Sequence, residues 1–235
     1  MNQPEIMERT DINDMIAIAI DGPSGAGKST LAKRLARELG YIYVDTGAMY
    51  RTIGLYALRN GADLSSERQV SALLPHIHMQ LKFLDGEQHM YLNGEDVSLL
   101  IRTEAVSMAA SAVSAHPPVR AFLLDTQRDM AKNDNVLMDG RDIGTVVLPD
   151  APIKIFLTAS AETRARRRYE ELIEKGQEVS YEAVLDDINR RDYNDSHRDA
   201  APLKQAEDAV RIDTSGMELE DSFQLLLRTI REKLG

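Results

Sequence analysis

The sequence predicts an α/β protein, a parallel sheet with helices on both faces, interrupted by a small antiparallel insertion. Three observations carry this reading. Short apolar runs rich in β-branched residues alternate with helical patterns along the chain, the rhythm of a parallel sheet covered on both sides. The segment GPSGAGKS at 22–29 follows the first run and opens the first helix, the context of a phosphate-binding loop. Between 80 and 97 the rhythm lapses into short runs around Asp85-Gly86 and Asn93-Gly94, the strongest local hairpin signal.

The elements follow in order. Residues 1–14 are polar and without period, so they are expected to form a flexible extension. The strand runs are MIAIAI at 15–20, YIYVD at 41–45, NVLMD at 135–139, PIKIFL at 152–157 and AVRID at 209–213. Between them, Lys28 to Leu39 reads as a helix with Leu31 and Leu35 on one face, and Ala48 to Arg59 as another. Thr103 to Lys132 reads as two helices broken at Pro117-Pro118, and Leu219 to Leu234 as the last. The charged stretch Ser160 to Arg198 is helical by pattern, with a break at Gly176 and little apolar surface to anchor it. Such a segment is expected to move as a lid.

Composition excludes several functions. At 235 residues, 43% hydrophobic and 28% charged, the chain is an ordinary globular protein, and no apolar run is long enough to span a bilayer. Cysteine is absent, which removes disulfides, thiolate metal sites and cysteine catalysis. The N-terminus lacks the basic start and apolar core of a secretion signal, so a cytoplasmic location is expected. A net charge of −10 and only 12 Tyr and Phe with no Trp argue against a nucleic-acid partner. The cations are nonetheless unusual: 20 are Arg and 8 are Lys, and seven of the Arg lie between 164 and 198. Arginine presents a planar fork that meets phosphate or carboxylate oxygens two at a time.

Within the loop, Gly22, Pro23, Ser24, Gly25, Ala26 and Gly27 lead to Lys28, Ser29 and Thr30 at the start of the helix. The glycines let backbone N–H groups converge on an anion at the positive end of the helix dipole. Lys28 would bridge the β- and γ-phosphates of ATP or GTP, and Ser29 would place its hydroxyl on Mg²⁺. The core is therefore expected to have the P-loop NTPase fold. A switch GTPase is disfavoured, because the N/T-K-x-D guanine motif is absent and the one D-x-x-G match, Asp213 to Gly216, lies near the C-terminus.

Further clusters suggest what receives the phosphoryl group. DTGAMYR at 45–51 offers Asp45 or Thr46 as an N-cap with Arg51 in the first two turns. DGRD at 139–142 emerges from a strand at the carboxyl edge of the sheet, where α/β folds bind ligands. Arg141 would face the cleft there, and Asp139 would hold a metal-bound water. Arg191, Asp195 and Arg198 share one helix face. Converging arginines suit an acceptor that is itself a phosphate, since they offset repulsion between donor and acceptor. Such an acceptor needs no general base: a phosphate monoester has a second pKa of about 6 and is already an oxyanion at neutral pH. The five histidines are accordingly read as surface or packing residues.

The motifs GPSGAGKST, DTGAMYR, IRTEAVS, DGRDIGTVV, PDAPIKIFL and RRD…R…APL together resemble the bacterial cytidylate kinases, the CMP/dCMP kinase branch of the nucleoside monophosphate kinases. The resemblance runs from Met15 to the C-terminus. It implies one kinase domain over 15–235, with a five-stranded parallel core, a monophosphate-binding part over about 46–112 that includes the antiparallel insertion, and a short helical lid over about 160–178. It implies ATP-dependent, in-line phosphorylation of CMP and dCMP to CDP and dCDP with Mg²⁺, by a monomer. Lys28, Asp139, Arg141 and Arg191 are the catalytic groups it implies. Arg51, Arg141 and Arg191 would bind the CMP phosphate, and Asp195 with Arg191 the ribose. Thr46, Ser111, Arg120, Asp142 and Arg198 would surround the cytosine, and Arg164 and Arg168 would close on ATP. Kinases of AMP, UMP or shikimate share the phosphate loop and are the nearest alternatives.

Overall fold

The computed structural model describes residues 15–84 and 87–235. The expected N-terminal extension and the Asp85-Gly86 turn lie outside the described residues. Five parallel strands form the core sheet: β1 (Ala17–Asp21), β2 (Ile42–Asp45), β6 (Val136–Gly140), β7 (Ile153–Thr158) and β8 (Val210–Asp213), in the order β2-β6-β1-β7-β8. Strand β1 is central, paired with β6 on one side and β7 on the other. Its register runs one residue beyond the apolar run, so Asp21 is a strand residue paired with Gly140 and Phe156.

The alternation of β1 explains the two layers. Ile18 and Ile20 pack with Leu31 and Leu35 of α1 (Lys28–Leu39) and with Phe223, Leu226 and Ile230 of α8 (Leu219–Leu234). The smaller Ala17 and Ala19 face the opposite side with Val44, Met138, Ile143 and Val147.

Helix α2 (Thr46–Arg59) begins two residues before the expected start, because the Asp45 side chain accepts from the Ala48 N–H at 2.9 Å and caps it. A short helix, α3 (Glu67–Leu73), was not among the expected elements; Ser66 caps it by accepting from the Gln69 N–H. The insertion is a three-stranded antiparallel sheet of β3 (Met79–Leu84), β4 (Glu87–Leu92) and β5 (Glu95–Asp96). Asn93 and Gly94 make the β4–β5 turn with φ of 50° and 89°, as a two-residue turn of this type requires. Helices α4 (Glu104–Val113) and α5 (Pro117–Asn133) divide near the expected place, but Pro117 starts α5, where its missing N–H is harmless. At Gly54 in α2 a Cβ would lie 2.9 Å from the Ala110 N of α4, so glycine is what lets these helices cross closely. The insertion, α2, α4 and α5 share a second core including Met49, Ile53, Met90 and Leu123.

The charged stretch forms α6 (Ala161–Glu174) and α7 (Tyr181–His197), separated around Gly176, which has φ 74°. It is better anchored than the sequence suggested. Ala165, Leu172, Val184 and Ile188 form a separate buried cluster, flanked by Tyr169 and Tyr181. The apolar residues are few in a charged sequence, and pairing of the two helices brings them together. Among the described residues no helix is long and apolar enough to cross a membrane.

Candidate active site

A cleft of about 750 Å³ opens at the carboxyl end of the sheet, within the usual range for small-ligand sites. It is bounded by the loop after β1, the start of α2, the face of α4, the segment after β6, and helices α6 and α7. The loop's shape depends on glycine. Gly22 has φ 154°, and a Cβ there would lie 1.9 Å from the Leu157 carbonyl oxygen of β7. Gly27 takes a left-handed conformation, φ 83°, as it leads into α1. Lys28 is buried and donates from Nζ to the Pro23 carbonyl at 2.7 Å. Burial and the nearby Arg141 push its ammonium down to about 7.

Asp139, next to last in β6, is a junction. Ser29 Oγ donates to its Oδ2 at 2.9 Å, Tyr43 OH donates to Oδ1 at 2.8 Å, and Thr46 Oγ1 donates to its carbonyl at 2.7 Å. Burial and the neighbouring Asp45 raise the Asp139 carboxyl above its ordinary value. The next residues are fixed from β1. Asp21 accepts from the Ile143 and Gly144 N–H groups at 2.8 and 2.7 Å, holding the wide π-type turn Ile143–Val147 that follows Asp142. Burial pushes the Asp21 carboxyl up to about 6, although both N–H bonds oppose the shift.

The arginines face carboxylates within the cleft. Arg51 Nη2 pairs with Asp45 at 2.7 Å, and Arg141 Nε with Asp195 at 2.7 Å. Arg120 pairs with Asp142, and its other branch donates to the Ser114 carbonyl at 3.1 Å. Arg198 lies 3.7 Å from Asp142 and 3.8 Å from Asp195, and donates to Ser114 Oγ at 3.3 Å. Arg191 donates to Ser24 Oγ of the loop at 3.3 Å and pairs with Asp187. Arg51 Nε and Arg198 Nη2 are buried without a hydrogen-bond partner. Polar hydrogens in that condition need an acceptor, and an oxyanion in the cleft would supply one. By charge, the lining holds eight Lys and Arg against seven Asp and Glu.

Most of the expected site residues line this one cleft: Ser24 to Thr30, Thr46, Arg51, Ser111, Arg120, Asp139, Arg141, Asp142, Arg168, Arg191, Asp195 and Arg198. Three do not. Gly22 and Pro23 belong to the loop but not to the lining: Gly22 lies against the Leu157 carbonyl, and the Pro23 carbonyl accepts from Lys28. Arg164 is 4% exposed and committed elsewhere: it pairs with Asp192 at 2.5 Å and donates to the Ser24 and Ala159 carbonyls at 2.9 Å each. Arg168 is half-exposed and paired with Glu171.

The family model described as cytidylate kinase matches residues 18–232. The chain belongs to the cytidylate kinase family. It is 51% identical over 220 residues to the cytidylate kinase of Caldicellulosiruptor saccharolyticus, covering 94% of this chain and 97% of that one. To the cytidylate kinase of Flavobacterium johnsoniae it is 50% identical over 222 residues, covering 92% and 96%. An uncharacterized protein from Eubacterium ventriosum, known from its crystal structure, superposes with a TM-score of 0.51 at 12% identity, covering 92% of this chain and 99% of that one. That likeness concerns the fold alone.

In this cytidylate kinase family member, several cleft residues escape a reading by motif. Asp21 and Tyr43 act across 122 and 96 positions of sequence. Ser114 holds Arg120 and Arg198 at once. Arg167 lines the cleft beside α8 and donates to the Thr214 and Met217 carbonyls. His116, by contrast, is a packing residue as expected, its ring bonded to the Leu64 carbonyl at 2.8 Å.

Proposed function

We propose that this chain transfers the γ-phosphoryl group of ATP directly, in line, to CMP and dCMP, giving CDP and dCDP. The observation that carries the reading is one cleft lined both by a glycine-shaped lysine loop and by Arg51, Arg141 and Arg191. Two phosphates held there repel each other, and the guanidinium forks offset that repulsion most in the transition state, where charge spreads over the transferred group. Lys28 turns from the Pro23 carbonyl to the terminal phosphates of ATP, whose negative charge favours its ammonium form. Arg191, already bonded to Ser24, spans donor and acceptor. The acceptor oxygen is ionised at neutral pH, so no side chain removes a proton.

At the base, Asp142 and Thr46 or Ser111 face the N4 amino group while Arg120 and Arg198 face N3 and O2. Asp195 meets the ribose. Uracil reverses the donor pattern at positions 3 and 4 and is disfavoured. On the donor side, Arg168 reaches ATP phosphates as the lid over 160–178 closes, and Arg164 keeps that lid joined to the loop through Ser24. Closure excludes water and limits ATP hydrolysis.

The residues present suit Mg²⁺. Ser29 Oγ and the Asp139 carboxylate lie side by side, and oxygen donors are what this cation takes. Among the described residues no group of three or more acidic or histidine side chains is placed to hold a metal ion, so Ser29 and Asp139 would hold it together with phosphate oxygens and water. When bound, Mg²⁺ neutralises charge on the β- and γ-phosphates. Action as a monomer in the cytoplasm, without nucleic acid or membrane, completes the reading.

A coupled assay over CMP, dCMP, UMP and AMP tests it. CMP and dCMP are expected to be turned over far better than UMP, and equal rates with UMP and CMP would refute the cytosine assignment.

A further inference from the structure

We infer that Gln88, in the antiparallel insertion, is a positioning residue for the acceptor phosphate, acting through Asp45 on Arg51. The inference rests on the acceptor reading above and gives the insertion a part in it. Among the described residues none of β3, β4 or β5 lines the cleft, so any influence of the insertion on chemistry must be relayed.

The relay starts at the edge of the core sheet. Strand β2 is an edge strand, paired only with β6, where Asp45 lies opposite Asp139. The other edge leaves the Asp45 N–H and C=O to be satisfied by something else. Gln88 does both. Its Oε1 accepts from the Asp45 N–H at 2.8 Å, and its Nε2 donates to the Asp45 carbonyl at 3.3 Å. A primary amide thus stands in for one residue of a missing neighbouring strand. Gln88 itself is held in place because Met90 and Leu92, next along β4, are fully buried in the second core.

The Asp45 backbone sets the direction of its carboxylate, and both oxygens of that group are used. Oδ1 caps α2 at the Ala48 N–H, and Oδ2 holds Arg51 Nη2 at 2.7 Å. Arg51 Nε is left buried and without a partner, a donor free for the acceptor's phosphate. A shift of the Asp45 peptide plane therefore moves both the helix start and the guanidinium. Gln88 is what pins that plane from the insertion side.

The test is a double-mutant cycle in steady-state kinetics with CMP and ATP, using Gln88→Leu, Arg51→Ala and the double variant of the full chain. Gln88→Leu is expected to raise the KM for CMP roughly 5- to 30-fold, the loss of one or two hydrogen bonds, with the KM for ATP changed less than about twofold. In the Arg51→Ala background the same substitution should change the CMP KM by less than about twofold, because the group it positions is gone. An equal effect in both backgrounds, or an equal rise in the ATP KM, overturns the inference. Should Gln88→Leu not fold, Gln88→Glu keeps the acceptor for the Asp45 N–H and loses the donor; it must show the same dependence on Arg51. If the unaltered chain does not phosphorylate CMP, the acceptor reading fails and takes this inference with it. If Arg51→Ala raises the CMP KM and neither Gln88 variant does, the inference alone fails.

Discussion

Replacing Asp21 by Asn isolates a buried charge that the fold tolerates at neutral pH. The carboxyl is 5% exposed, receives two backbone N–H bonds, and is pushed from an ordinary 3.8 up to about 6. A raised carboxyl pKa means that the folded state holds this proton more tightly than the unfolded chain. The stability it gives is fully present below pH 3.8 and is lost as pH rises through 6. The whole difference is about 3 kcal/mol, and about 2 kcal/mol of it falls between pH 4.5 and 7. Asn cannot ionise, so Asp21→Asn lacks this component. Urea unfolding of both proteins at half-unit steps from pH 4.5 to 7 gives the difference directly. The variant should gain about 2 kcal/mol relative to the parent as pH rises over that range. It also carries a constant deficit, because its amide turns an N–H toward one of the two backbone donors. A difference that stays flat within about 0.5 kcal/mol, or that runs the other way, refutes the assignment of a buried, proton-binding carboxyl to this position.

Other expectations concern the cleft. Lys28→Met should lower kcat by about 10²- to 10³-fold, the usual cost of removing one preorganised donor of this kind; undiminished transfer to CMP contradicts the loop's role. Arg120→Met should reduce kcat/KM for CMP by about 10- to 100-fold, with ATP binding nearly unchanged, measured by kinetics with each substrate varied in turn. A parallel loss of ATP affinity would make Arg120 structural. Arg164 and Arg168, one helical turn apart, should separate by assay. Arg164→Met leaves Asp192 and two carbonyls unpartnered and should cost about 3 kcal/mol in denaturation. Arg168→Met should leave stability unchanged and raise the KM for ATP. The reverse pattern would place the donor-binding arginine at 164.

Much of this was legible in the amino-acid sequence because the signals were local. The strands, the loop at 22–29, the Asn93-Gly94 turn and the helix at 28–39 each depend on residues within one element. Where the sequence misled, the cause was distance. Ala165, Leu172, Val184 and Ile188 look too sparse to anchor a helix until α6 and α7 pair, and then they form a core. Asp21 and Tyr43 carry no motif of their own, since their partners, Ile143 in the turn after β6 and Asp139 in β6, lie far along the chain. The helix at 67–73 did have a local signal: Ser66 and Gln69 stand at capping-box spacing just before Val70. Arg164 lies in the segment expected to carry the ATP-binding arginines, and only the fold shows that its side chain is buried against Asp192 and two carbonyls.

The near balance of eight cations and seven carboxylates along the cleft bears on how quickly a ligand arrives. A groove with a large single-sign excess draws polyanions from beyond a Debye length, at rates that fall steeply with ionic strength. Here the guanidinium groups are largely cancelled by neighbours a few ångströms away, so the far field is weak. Any nucleotide must find the site mainly by diffusion and then exchange oxygens with Asp45, Asp142 and Asp195 at short range. Selection is thereby moved from encounter to fit: inorganic phosphate or a stray polyanion gains little from charge alone, and substrate association should vary only modestly with added salt.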